Sequence, residues 1–320
     1  MMKIIQYFLL LACGVTLCSC SSGPTSVVRV IDNPTANEIV ITIDGKELAI
    51  PANSKTKYTF EYGKHNLAYN NESFDFVVKP AKFSGKGFIN PTQSNYMLHT
   101  IVYSTDNTSE EDYKKFYEKT LHKIPIIFNG EEEEVELPVK VVNDIFIEDE
   151  HNKFDYSIDQ KMPKEIHENI YKNQTYQDSR TKVYREKEYI NFLKNEYSEF
   201  LNDEGGKLEI SFPNKPIKLA EINQYAFPTI NLEKIECDAG KKYLAETLDN
   251  WKQLFTLKGS DFASKYEELG GDKSNGNRPF ARYKELCPKD TDRGNTDVQT
   301  VLQLDNFIRD TRDIHFYIIK

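Results

Sequence analysis

The 320-residue chain has no cluster of basic residues, no internal repeat, and no apolar run after its first twenty residues that approaches the length of a transmembrane helix. Acidic side chains outnumber basic ones, 50 to 41, for a net charge of −9. Binding to nucleic acid or to an anionic lipid surface is driven by clustered lysine and arginine, so neither is expected as a partner. The lack of a repeat argues against a solenoid. No nucleotide or cofactor is expected either: Phe83 to Thr92 contains Gly85-Lys86-Gly87 but lacks the two spaced glycines and the Lys-Ser/Thr pair that opens a helix in a phosphate loop, so it reads as a crossing loop. His167-Glu168 begins like a zinc-protease helix, yet Tyr171 stands where the second histidine is needed.

What is present begins at the N-terminus. Lys3 gives a short positive start, and Ile4 to Val15 is apolar except for Gln6. That layout is a secretory leader, and its core of about a dozen residues is shorter than the roughly 20 needed to span a bilayer. Leu17-Cys18-Ser19-Cys20 then resembles the lipobox of bacterial lipoproteins. Cys13, after Leu10-Leu11-Ala12, also fits the pattern but leaves too short an apolar core, and Cys18 follows the large Leu17. Cys20 follows Ser19 and precedes the polar run Ser21 to Ser26, which makes it the best acceptor. An ordinary signal peptide cut near Ser19 is the alternative. The resemblance implies a diacylglyceryl thioether and an amide-linked acyl chain, such as palmitate, on Cys20, enough hydrocarbon for a permanent anchor. Ser21 implies the outer membrane of a two-membrane bacterium, facing the periplasm. Residues 1–19 would be the signal peptide and 20–26 a tether. Loss of Lys3 takes the mature net charge to −10.

With Cys13 and Cys18 in the leader and Cys20 acylated, Cys237 and Cys287 remain. Two thiols in an oxidising compartment are expected to form a disulfide, with two separate buried thiols as the alternative. A metal site is not expected, because the two lone cysteines lack nearby histidines and paired ligand spacing.

From residue 27 the chain reads as short strands. Val27 to Ile31, Glu38 to Ile43, Lys46 to Ile50, Lys55 to Tyr62, Asn66 to Tyr69 and Ser73 to Val78 are separated by turn residues, with Asp44-Gly45 a hairpin turn and Gly63-Lys64-His65 a second turn. The expectation is an antiparallel β-sandwich-like module over 27–104, completed by a strand at Tyr96 to Tyr103 in which His99 is a sheet residue. Asp44-Gly45-Lys46 and Gly63-Lys64-His65 are similar to the punctuation of PEGA-like envelope modules. That resemblance covers about 60 residues and implies a presentation or binding module.

Residues 105–320 are expected to form an α+β domain, since strands and helices follow in blocks and do not alternate. Thr108 to Glu111 has capping-box spacing ahead of a short helix bearing Tyr113, Phe116, Tyr117 and Leu121. Ile124 to Phe128 and Glu131 to Leu137 flank Asn129-Gly130 as a hairpin, whose four glutamates read as a solvated edge because successive strand residues point to opposite faces. Val139 to Ile147 reads as one strand, 149–178 has little periodicity, and Glu186 to Asn202 is the clearest helix. Leu208 to Phe212 reads as a strand and Ile217 to Leu232 as strand and loop. Helices follow, capped by Asp238, Ser260 and Thr296, with a loop at 272–277 and a final strand at Ile314 to Ile319.

Three classes of function remain open. The foremost is a non-catalytic envelope lipoprotein that binds a protein or an envelope component, of which an immunity-type protein is one version. The others are a hydrolase of peptidoglycan or carbohydrate, with Asp290 and Asp292 or Glu267 and Glu268 as paired carboxylates, and a structural subunit of an envelope complex.

Overall fold

A computed structural model describes residues 23–82, 85–166, 176–196, 209–270, 278–289 and 294–320, so Cys20 and the rest of the lipobox lie outside the described residues. β1 (Ser26–Asn33) comes first. β2 (Ile39–Ile43) and β3 (Lys46–Ile50) form a hairpin across Asp44 and Gly45, which take φ of 50° and 77°. Positive φ at both positions matches the twist of the strands, and Asp-Gly adopts it with little strain. β4 (Ser54–Glu61) and β5 (Gly63–Tyr69) follow, and Asn70 and Asn71, at 51° and 62°, lead into β6 (Glu72–Val78).

Gly63-Lys64-His65 is not a turn but the start of β5, paired with Val78, Val77 and Phe76. The glycine serves a close approach instead: at φ 129°, a Cβ there would lie 2.7 Å from the Leu257 carbonyl oxygen. His65 also joins the two motifs, since its Nδ1 lies 2.6 Å from an Asp44 carboxylate oxygen.

The expected crossing loop contains β7 (Gly87–Ile89), parallel to β1, because Phe88 and Ile89 are both buried. β8 (Tyr96–Ser104) precedes α1 (Glu110–Glu118), capped by Ser109 through the Asp112 N–H, one residue after the expected Thr108. β9 (His122–Phe128) and β10 (Glu131–Leu137) form the expected hairpin, with Glu131 to Glu134 exposed on its outer strand. The single run expected at 139–147 splits into β11 (Val139–Val142) and β12 (Phe146–Glu148), which join different sheets. α2 (Asp149–Asn152) follows, then β13 (Gln177–Arg185), a nine-residue strand absent from the sequence reading.

α3 (Glu186–Glu196) buries Tyr189 and Leu193. The end expected for this helix, at 197–202, lies outside the described residues. β14 is only Ile210–Ser211. Ile217 to Leu232 forms no strand: its backbone is held by side chains, with the Ile217 N–H on Gln93 Oε1 (2.9 Å) and the Leu219 N–H on Glu72 (2.7 Å). α4 (Asp238–Leu254), α5 (Gly259–Leu269), α6 (Pro279–Leu286) and α7 (Thr296–Thr311) complete the helices, and β15 (Phe316–Ile319) ends the chain. α6 was not expected. The residues expected to cap α4, α5 and α7 lie inside those helices, whose caps are Cys237, Lys258 and Asn295.

Among the described residues the strands form four sheets, in the orders β12-β7-β1-β4, β15-β6-β5-β2-β3, β11-β8-β13 and β10-β9-β14. Residue 104 closes β8, yet both neighbours of β8 come from beyond it, as do β12 beside β7 and β15 beside β6. One apolar core joins Ile31, Ile41, Phe60 and Phe76 of the strands to Leu244, Trp251, Phe262 and Val301 of the helices. The chain therefore has a mixed α+β fold. Among the described residues no helix is long and apolar enough to cross a membrane.

Candidate functional site

β8 and β13 run antiparallel, which sets Thr100 opposite Thr181 with their hydroxyls 2.8 Å apart. These two and Ser179 contribute to a cleft of about 510 Å³. Lys119 and Thr120 enter it from the connection between α1 and β9, His122 from the first position of β9, and Asp149, Glu150, Lys153, Phe154 and Asp155 from α2 and the residues after it. Lys119 is the C-cap of α1 and Lys153 the C-cap of α2, places where a cation meets the negative end of the helix dipole. Lys153 has φ 56°, a conformation costly for a residue with a Cβ, and its N–H is held by Asp149 O at 2.7 Å.

Not every charge in the cleft is available. The Asp155 carboxylate accepts the Thr181 N–H at 2.8 Å and lies 3.6 Å from Arg180, while the Thr181 carbonyl takes the N–H groups of Asp155 and Tyr156. Asp155 thus pins a segment along the outer edge of β13, occupying a free strand edge. Glu150 and Lys153 form only a loose pair at 3.9 Å. Lys119 and His122 have no carboxylate partner among the described residues. Phe154 is 5 % exposed and belongs to the core beneath the cleft. The lining is therefore hydroxyls plus charges of both signs, suited to holding a polar ligand.

The buried charges elsewhere are structural ties. Asp32, 0 % exposed, accepts two hydrogen bonds from Arg185, at 2.8 and 2.6 Å, and one from the Tyr96 hydroxyl at 2.6 Å. Burial is the largest influence on Arg185 and opposes its charge, but the hydrogen bonds and charge of Asp32 together with the bonds to Glu188 and Asp159 outweigh it and hold the guanidinium above its ordinary value. In a second cluster, Arg29 Nη2 donates to His315 Nδ1 at 2.7 Å, and both Glu148 carboxylate oxygens accept the His315 backbone N–H at 3.0 Å. His315 Nδ1 also lies 3.4 Å from Glu148 Oε1. Lys79, fully buried, donates to the carbonyls of Ile314 (2.5 Å), Pro80 (3.1 Å) and Arg312 (3.4 Å), and burial pushes its ammonium down to about 7. Both clusters fasten strands far apart in sequence.

Cys237 and Cys287 are joined as a disulfide, Cα–Cα 6.3 Å, bridging the start of α4 and the end of α6. Glu267 borders a separate cavity of about 40 Å³, and Glu268 is exposed and paired with Lys265 at 3.1 Å. Asp290, Asp292 and His167-Glu168 lie outside the described residues. His99 is buried in β8, its Nδ1 3.3 Å from the Tyr189 hydroxyl, and burial pushes it down to about 4. Among the described residues no group of His, Cys, Asp or Glu is arranged to hold a metal ion. The cleft residues and the buried ties at Asp32, Arg185, Arg29, Glu148 and His315 were not singled out by sequence; each is an ordinary polar residue far in sequence from its partners.

Compared with known proteins, the chain matches no family model, no curated protein and no solved structure.

Proposed function

We propose that the chain is a lipid-anchored bacterial envelope protein, acylated at Cys20, that binds an envelope component or another protein without catalysing a reaction. The observation that carries the binding part is the cleft between α1, α2 and the β8–β13 pair, where Lys119 and His122 have no carboxylate partner among the described residues. The anchor rests on Leu17-Cys18-Ser19-Cys20 and on the apolar leader ahead of it. β1 begins at Ser26, and an extended chain gains at most about 3.5 Å per residue, so the folded part is held within roughly 20 Å of the acylated cysteine. The strands β1 to β6 act in this reading as a sandwich-like presentation module, their two sheets meeting through Ile31, Phe60, Ile41 and Phe76.

The test is affinity purification from the native envelope after detergent extraction, comparing the wild-type chain with the Lys119→Glu, His122→Glu double variant. Reading the cleft as the binding surface requires a component that co-purifies with the wild type and is depleted from the variant. Equal recovery with both proteins contradicts it.

A further inference from the structure

The two cysteines of the disulfide are not equivalent. Cys237 is the N-cap of the 17-residue α4 and is partly exposed, whereas Cys287 is the C-cap of α6 and is 3 % exposed. The positive end of a helix dipole favours a thiolate, while the negative end and burial both disfavour one. Helix position and solvent access therefore separate the pair in the same sense, with Cys237 the nucleophile of the reduced protein and Cys287 the sluggish thiol. The nearby carboxylates do not reverse this order. Glu236 and Asp238 are exposed to water, and the Asp297 carboxylate already accepts three hydrogen bonds.

The segments that carry these sulfurs are also tied together by groups other than the sulfurs. Asp297 of α7, 3 % exposed, accepts the Glu236 N–H at 2.8 Å, the Cys237 N–H at 3.3 Å and the Tyr283 hydroxyl at 3.0 Å. Tyr283 lies one turn before Cys287, and its carbonyl accepts the Cys287 N–H at 2.8 Å. Gly240, in the first turn of α4, is what lets α6 come so close: a Cβ there would lie 2.3 Å from Tyr283 Cε2 and 2.7 Å from Cys287 Sγ. One buried carboxylate and one glycine thus set Cys287 beside Cys237 by contacts that do not need the bond between them.

We propose that Cys237–Cys287 is a redox site of the folded protein that exchanges with a low-molecular-weight disulfide, entered through Cys237 and resolved by Cys287. In the forming direction the Cys237 thiolate attacks one sulfur of the external disulfide, whose S–S bond breaks and releases one half as a thiolate. Cys287 then loses its proton to water and attacks the Cys237 sulfur, the second half leaves as a thiolate, and the protein disulfide is formed. Two cysteine thiols are oxidised, one external disulfide is reduced, and the two protons lost by the cysteines balance the two external thiolates. The opening direction is the same sequence reversed, with an external thiolate attacking Cys237 because that sulfur is the accessible one. This site is separate from the cleft and stands whether or not the cleft binds a ligand.

The experiment compares Cys287→Ala and Cys237→Ser in the full chain, each treated with glutathione disulfide and followed by mass spectrometry of the peptides that carry residues 237 and 287. Serine is itself a favourable N-cap, so α4 keeps its start in the second variant. In the folded proteins the Cys237 thiol should form its mixed disulfide about tenfold faster than the Cys287 thiol, and the two rates should converge in urea, where helices and burial are lost. Equal rates in the folded variants, or a faster Cys287, overturn the assignment. A second measurement needs no substitution: the oxidised wild type is treated with reduced glutathione, quenched with acid and mapped. The trapped mixed disulfide is expected at Cys237. Trapping at Cys287 overturns the proposal, as does a bond that stays unreacted until the chain is unfolded.

Discussion

Acid should destabilise this protein through His99 before most carboxylates titrate. The imidazole lies in the middle of β8, between Val139 of β11 and Lys182 of β13, and its ring is surrounded by Tyr184, Tyr189 and Phe192 at centroid distances of 6.4, 5.5 and 4.9 Å. Burial disfavours the charged form and pushes the group down to about 4. The unfolded chain protonates the same histidine near 6.5. Because the folded pKa is the lower one, this contribution is fully present above about pH 6.5 and is lost as pH falls towards 4. Between pH 7.5 and pH 5 the loss is about 2 kcal/mol, and by pH 4 it approaches about 3 kcal/mol. The assay is urea unfolding of the wild type and of His99→Phe across this range. Phe keeps the aromatic packing and removes the titrating group, so the wild type should lose about 2 kcal/mol more than the variant between pH 7.5 and pH 5. Parallel losses in the two proteins would refute the reasoning, as would an NMR titration showing His99 protonated in the folded state above pH 6.

Other expectations are as direct. Arg185→Met leaves the fully buried Asp32 carboxylate without its two guanidinium bonds and should cost about 3–5 kcal/mol in chemical denaturation. Reducing the Cys237–Cys287 disulfide, whose cysteines are 50 residues apart, should lower unfolding free energy by about 4 kcal/mol relative to the oxidised chain, measured with and without reductant. Gly63→Ala combines a positive φ with a Cβ placed 2.7 Å from Leu257 O, and should cost about 1–3 kcal/mol, read as a lower thermal midpoint.

The parts of the fold visible in the sequence are those where local chemistry and burial agree. Asp44-Gly45 and Asn129-Gly130 turn because their residues accept positive φ, and the alternation of Ile39, Ile41 and Ile43 gives β2 its buried face. β13 was invisible because its sequence, QDSRTKVYR, is nearly all polar. It is an edge strand whose Lys182 and Arg185 are each 8 % exposed, the first with its ammonium over the Tyr184 ring and the second paired with Asp32, so burial does not show as hydrophobicity. β1 misleads in the opposite sense: Val28 is 53 % exposed, while Arg29 shares the inward face with Ile31. α6 carries its one local signal in Pro279 at its first turn. The cleft was illegible for a different reason. Lys119, Asp149 and Thr181 meet only through the pairing of β8 with β13 and the course of α2, and nothing in their local sequence marks them as neighbours.

The proposed anchor at Cys20 would place the cleft at a membrane surface and Cys237 and Cys287 in an oxidising compartment. Mass spectrometry of the N-terminal peptide, from the full 320-residue chain expressed in a two-membrane bacterium, tests that anchor. The expected first residue is Cys20 carrying a diacylglyceryl thioether and an amide-linked acyl chain, both lost in Cys20→Ser. An unmodified N-terminus at Cys20 or beyond, or lipid attached to Cys13 or Cys18, would contradict it.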